Sequence, residues 1–90
     1  MTTPLHEGEA LNVSERMIVS PASGLFEPTP PETITAEGEL VRVGQAIGSV
    51  HGPGIATPVV SAFDGFLMGL LATPGERLRI GEPVAWLRAT

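Results

Sequence analysis

The groups able to carry acid–base, nucleophilic or metal chemistry in this chain are His6, His51, Asp64, nine glutamates and five arginines; Cys, Lys and Tyr are absent. A nucleophile–base pair needs its members within hydrogen-bond reach, and a metal site needs three or four clustered donors. The two histidines lie 45 positions apart, and neither sits in a cluster of Asp or Glu with metal-ligand spacing. The sequence therefore predicts no catalytic residue and no metal site. His51, beside Gly52-Pro53-Gly54, reads as a solvated histidine at a strand end. Without Cys there is neither a disulfide framework nor thiol chemistry.

The elements around these residues must be short. Ninety residues make one small domain, and eleven Gly and nine Pro leave little room for helices, since Gly costs about 1 kcal/mol and Pro about 3 kcal/mol inside a helix. An apolar share of 42% fits a folded chain. Residues 1–14 show no periodicity and read as a mobile lead-in, so the domain is placed at 15–90. Within it the sequence repeats. Val19-Ser20 and Gly24 recur 41 positions later as Val60-Ser61 and Gly65, and Gly38-Glu39…Val43-Gly44-Gln45 recurs at an offset of 37 as Gly75-Glu76…Ile80-Gly81-Glu82. Runs such as Met17–Val19, Ala46–Val50, Val59-Val60 and Val84–Leu87 have the β-branched character of half-buried strands. Two equivalent halves, 16–50 and 57–88, are expected to pack face to face as an all-β flattened sandwich or barrel of about eight strands with a pseudo-twofold axis. Trp86 and Phe66 are expected in the core. Arg77 and Arg79 are expected on the outer side of a strand that turns Leu78 and Ile80 inward.

Charge narrows the partners. Residues 1–39 carry seven Glu against Arg16, whereas 40–90 carry three acids against four Arg, which gives the overall −5. A chain this acidic with four aromatics lacks the basic footprint and stacking platforms of a nucleic-acid binder. The apolar run Phe66–Ala72 is far shorter than the roughly 20 residues of a membrane-spanning helix, and the opening residues carry no export signal, so a cytoplasmic location is expected.

The ordered series Val19-Ser20-Pro21…Gly24, a Pro-rich excursion, Val43-Gly44-Gln45…Ile47, Asp64-Gly65…Leu67, Pro74-Gly75-Glu76, Ile80-Gly81-Glu82-Pro83-Val84 and Trp86-Leu87 resembles the biotinyl/lipoyl carrier domain. Within that family it is most similar to the biotin carboxyl carrier protein of acyl-CoA carboxylases, over residues 16–88. The resemblance implies a hammerhead sandwich in which a hairpin between the fourth and fifth strands presents a lysine for biotin or lipoate. That lysine lies eleven residues before the glycine matching Gly65, which here is Gly54. The window reads His51-Gly52-Pro53-Gly54-Ile55, and the whole chain has no lysine. Amide formation needs an amine nucleophile and Gly54 has no side chain. No covalent biotin or lipoate is therefore expected.

What remains is a non-catalytic, protein-docking module with a degenerate attachment hairpin, the family's biotin-dependent carboxylases being the first partners to consider. The resemblance places a protruding thumb at the Pro-rich excursion 27–35. Pro28, Pro30, Pro31, His51, Pro53 and Phe63 are the candidate partner-binding residues. The alternatives are an accessory or carrier-type subunit of acetyl-CoA carboxylase and a self-associating structural adaptor.

Overall fold

The computed structural model describes residues 14–29 and 38–89. Eight strands form in chain order: β1 (Glu15–Val19), β2 (Gly24–Pro28), β3 (Leu40–Val41), β4 (Ala46–Gly52), β5 (Ile55–Val60), β6 (Gly65–Leu70), β7 (Arg77–Leu78) and β8 (Pro83–Ala89). They pair antiparallel in two sheets, β1-β8-β6-β3 and β5-β4-β2-β7, which we call sheets I and II. The all-β, eight-stranded sandwich expected from the sequence is the observed fold.

The two sequence offsets are one operation in space. Shifting 41 residues carries β1 and β2 onto β5 and β6, and shifting 37 carries β3 and β4 onto β7 and β8, so each sheet is the image of the other. The core obeys the same rule. Among the twelve buried hydrophobic residues, ten make five related pairs: Ile18 and Val59, Phe26 and Leu67, Val41 and Leu78, Ile47 and Val84, Val50 and Leu87. Alternation produces this packing. In β2, Gly24 and Phe26 face inward while Leu25 and Glu27 face out, the period of two that a strand imposes.

The halves do not stack as one sheet each. Sheet I takes β1 and β3 from the first half and β6 and β8 from the second. Each half thus completes both sheets, and neither can close a core without the other. The chain changes sheets at every connection except β4–β5, and two of these changes, after β1 and after β5, run through Ser20 and Ser61, the buried polar side chains of the described core. Their hydroxyls donate to the carbonyls of Ala22 and Phe63 at 2.7 and 2.6 Å. Their backbones are held alike: Ser20 N–H donates to Glu82 and Gly81 N–H to Ser20, as Ser61 N–H does to Gln45 and Gly44 N–H to Ser61. Burying these polar groups is tolerable because all of them are paired.

The repeated turn residues are explained by side-chain closure. Gln45 Oε1 accepts from Arg42 N–H at 2.9 Å, and Glu82 Oε1 accepts from Arg79 N–H at 2.6 Å. Gly24 and Gly65, also repeated, are needed for space. A Cβ on Gly65 would lie 2.6 Å from the Arg88 carbonyl oxygen, and one on Gly24 would collide with the carbonyl of His51, the residue related to Arg88.

Three side chains depart from expectation. Phe66 is 44% exposed and Trp86 half-buried, both on the outer side of sheet I. The core is filled instead by Phe26, Leu67 and aliphatic residues, because alternation turns Gly65 and Leu67 inward on β6 and Leu87 inward on β8, which leaves Phe66 and Trp86 on the other side of their strands. Ile80 is 71% exposed, because β7 ends at Leu78 and the alternation stops there. Arg77 and Arg79 are exposed as expected.

Because backbone, not a movable side chain, fills the Cβ space, Gly65→Ala should destabilise the fold by about 3 kcal/mol, the upper range of overpacking. Ser61→Ala, which removes the hydroxyl that accepts from the part-buried Phe63 N–H and donates to the Phe63 carbonyl, should cost about 1 kcal/mol. Urea unfolding followed by circular dichroism gives both values. A Gly65→Ala midpoint equal to that of the parent would refute the close-approach account.

Candidate functional site

The β4–β5 hairpin is the feature on which the sequence concentrates. Its strands stay paired to the last possible residue, Gly52 opposite Ile55, so the bend is only Pro53-Gly54. This is narrower than the five-residue window His51–Ile55 in which the sequence places the attachment hairpin. Proline presets φ for the first turn position, and Gly54 takes φ +72° at the second, the arrangement of a type II turn. Nothing lies within 4 Å of where a Gly54 Cβ would stand. The tip therefore projects into open space, and the chain's constraint there is backbone conformation, not crowding.

Behind the tip, sheet register lines up one row of side chains across four strands: Arg77 on β7, Leu25 on β2, His51 on β4 and Ala56 on β5. His51 is not free in solvent. Its Nε2 lies 3.0 Å from Glu27 Oε1 and 2.8 Å from Ser49 Oγ. Both partners sit on the outer face of sheet II, Glu27 directly opposite Ser49. The expectation of a histidine without a nearby acid is thus corrected, since pairing of β2 with β4 brings Glu27 from 24 positions away. With the side chains 45% and 69% exposed, this pair contributes little to stability. Among the described residues no three His, Cys, Asp or Glu come together as a metal site.

Shallow open grooves flank His51. One runs under the tip between Ser23, Leu25, Pro53 and Arg77. Another follows the sheet from His51 to Pro28. His51, Pro53 and Pro28 therefore share one face, with Pro28 at the far end of β2 from the tip. Phe63 does not join them. It lies in the turn after β5, at the opposite end of that strand from the hairpin, where the Arg16 guanidinium covers its ring at 5.6 Å from the centroid. Pro30 and Pro31 lie outside the described residues, as does most of the 27–35 excursion. Sequence reading missed Leu25 as a groove residue and Arg16 as the partner of Phe63. The repeat offset carried part of the signal, because Leu25 corresponds to Phe66.

No family model matches the chain and no curated protein resembles it at a significant level. Solved structures do. A single-chain, multi-domain long-chain acyl-CoA carboxylase superposes with a TM-score of 0.72 at 16% identity, covering 86% of this chain and 7% of that one. The urea carboxylase of Kluyveromyces lactis gives 0.68 at 20% identity over 81% of this chain and 6% of its own length. A succinylglutamate desuccinylase/aspartoacylase from Rhodobacter sphaeroides gives 0.62 at 30% identity, over 81% of this chain and 21% of that chain. The chain thus has a fold that two carboxylases contain as a small part of their length. It spans no more than about a fifth of any of these three proteins.

Placing a side chain on Gly54 should cost only the left-handed backbone strain, about 1–2 kcal/mol. Gly54→Ala and Gly54→Lys should therefore destabilise equally, measured as paired urea midpoints. A Gly54→Lys variant that fails to fold beside a stable Gly54→Ala would show that the tip is packed.

Proposed function

We propose that this chain is a non-catalytic, biotin-carboxyl-carrier-like domain that is not acylated and works by docking on a protein, in the cytoplasm. The observation that carries this reading is the hairpin tip. It has the exposure and rigidity of a presenting loop, yet Gly54 stands where the resemblance requires an amine, and no lysine exists elsewhere in the chain. A loop on a stiff two-sheet scaffold is suited to contact, because its backbone groups and the flanking Arg77–Leu25–His51 row are held in place before binding. A biotin-dependent acyl-CoA carboxylase component is the first partner on this reading, supported by the two carboxylases whose parts share the fold.

A second reading has one specific support. The likeness with the higher identity, 30%, is to part of a succinylglutamate desuccinylase/aspartoacylase. On that reading the chain is an accessory domain for an enzyme of that kind, docked through the same tip. Both readings make the domain an attachment to a larger catalyst.

Co-expression with the host's biotin and lipoate ligases, beside an acylatable carrier as positive control, should leave the intact mass of this chain at its sequence value. A mass increment matching either group would overturn the proposal. Docking is tested by calorimetry against the purified host carboxylase components and, separately, the host desuccinylase-type enzyme. One of them should bind, and His51→Glu with Pro53→Asp should weaken binding at least about tenfold, or roughly 1.4 kcal/mol. Binding to neither would sink the docking role.

A further inference from the structure

The internal twofold supplies a control for the row of side chains behind the hairpin tip. On sheet II that row runs Arg77, Leu25, His51, Ala56, and the related positions on sheet I run Leu40, Phe66, Arg88, Glu15, each residue opposite the next in register. The apolar member is kept in both rows, with Leu25 42% and Phe66 44% exposed. The flanks differ in charge. On sheet I the cation Arg88 stands opposite Glu15, and Asp64 immediately precedes Gly65 at the head of β6. On sheet II the positions of those two acids hold Ala56 and Ser23, and Arg77 takes the place of Leu40. A set of positions that carries one cation and two carboxylates on one sheet therefore carries Arg77, His51 and no carboxylate on the other.

The nearest carboxylates do not restore the balance. Glu27, one row further along β2, has its carboxylate on His51. Glu82 accepts from the Arg79 N–H and Glu76 from the Thr73 N–H, each within its own turn. The Arg77 guanidinium has no ion pair among the described residues. Beside it lies the depression under the tip, with Gly24 and Gly52 as its floor and Leu25, Pro53 and Arg77 around it. The floor cannot be filled from within, because a Cβ on Gly24 would collide with the His51 carbonyl. A purely apolar occupant would cover Arg77 without pairing it, which is costly for a charge. An occupant with a carboxylate removes that cost, and a guanidinium takes a carboxylate through two parallel hydrogen bonds. Opposed residues such as Arg77 and Leu25 stand about 5 Å apart at Cβ. Alternate residues of an extended chain are about 7 Å apart and point to one side, and the length of the Arg77 side chain takes up the difference. One extended segment can thus reach both residues from positions two apart.

We infer that the partner segment received by this row is acidic: an extended stretch whose carboxylate seats on Arg77 and whose aliphatic side chain, two positions away, covers Leu25 against Pro53. The inference rests on the docking role proposed for the tip and adds the chemistry of what docks. The probe is an acetylated, amidated peptide of two Glu-Ser-Leu-Ser repeats, titrated into the isotopically labelled full chain and followed by NMR, beside the same peptide with Gln or Lys in place of Glu. The glutamate peptide should shift the backbone amides of Ser23, Gly24, Leu25, His51, Gly52 and Arg77, and should bind about threefold or more tightly than the glutamine form, the range of an exposed ion pair. The lysine form should bind more weakly than either. Arg77→Gln should abolish the preference for glutamate, whereas Arg88→Gln, at the related row of sheet I, should leave it intact. Both positions are exposed, so both variants should keep the parent circular dichroism spectrum. Equal binding of the Glu and Gln peptides, shifts centred on sheet I, or no shift with any peptide overturns the inference. The carboxylase and desuccinylase-type components of the docking test separate it from the reading beneath it. A component that binds the parent and Arg77→Gln equally upholds docking and sinks the acidic segment, while binding by no component sinks the docking role and the inference with it.

Discussion

The fold depends on two of the places where the chain passes from one sheet to the other, after β1 and after β5. At Ser20 and Ser61 the backbone crosses with its polar groups buried, and each crossing is tied to the turn that belongs to the other half of the repeat. A few residues on, at Gly24 and Gly65, the carbonyl of the neighbouring strand occupies the space of a side chain. These two contacts fix how closely β2 passes β4 within sheet II and β6 passes β8 within sheet I. Five twofold pairs of Val, Ile, Leu and Phe fill the core between the sheets, and Phe66 and Trp86 are left on the outer side. Because strands from both halves complete each sheet, loss of either crossing removes support from all eight strands.

On such a base the β4–β5 hairpin is a stiff projection. Its strands pair up to a two-residue turn, and the next row of side chains is locked in register across sheet II. The same stiffness serves two different tasks in principle: presenting a modified side chain, or presenting the turn itself. The residue at the tip discriminates between them chemically. An amine can be acylated and a glycine cannot, while the left-handed backbone that Gly54 adopts is one that other residues take only with strain. On the proposed reading, the scaffold retains the geometry of presentation and puts backbone, proline ring and the Arg77–Leu25–His51 row in place of a swinging arm. Its presence as a small portion of much larger enzymes fits a part that acts by being next to something else.

Duplication also separates what the fold demands from what it leaves free. Core pairs, crossing serines, turn-closing Gln45 and Glu82, and the space-limited glycines remain equivalent between the halves. Outer-face residues have diverged: Ser49 corresponds to Trp86, Glu27 to Met68, and Pro58 to Met17. A twofold scaffold constrains both halves through the same packing, so positions that break the symmetry are released from that constraint and answer to another. Met17 opposite Trp86 on sheet I, where the related pair on sheet II is Pro58 opposite Ser49, is one such break.

The repeat, its two offsets, the all-β class and the paucity of helix were legible in the residues, because turn glycines and β-branched runs act locally and recur. The absence of lysine and the glycine at position 54 are properties of the sequence alone. The interlocking of the halves was not legible, because face-to-face and interleaved packing use the same alternation. Nor were the contacts that gather at the site: Glu27 meets His51, and Arg16 meets Phe63, only through pairings between strands far apart in sequence. Composition set Trp86 and Phe66 inside as large apolar residues; the tertiary structure placed them outside, because alternation along β6 and β8 gives the inward positions to Leu67 and Leu87. The sequence by itself determined which turns could form and which reactive groups the chain possesses, both being properties of single residues. Only the tertiary structure decided which side chains face one another, because that follows from strand register and from the distance at which two backbones pass.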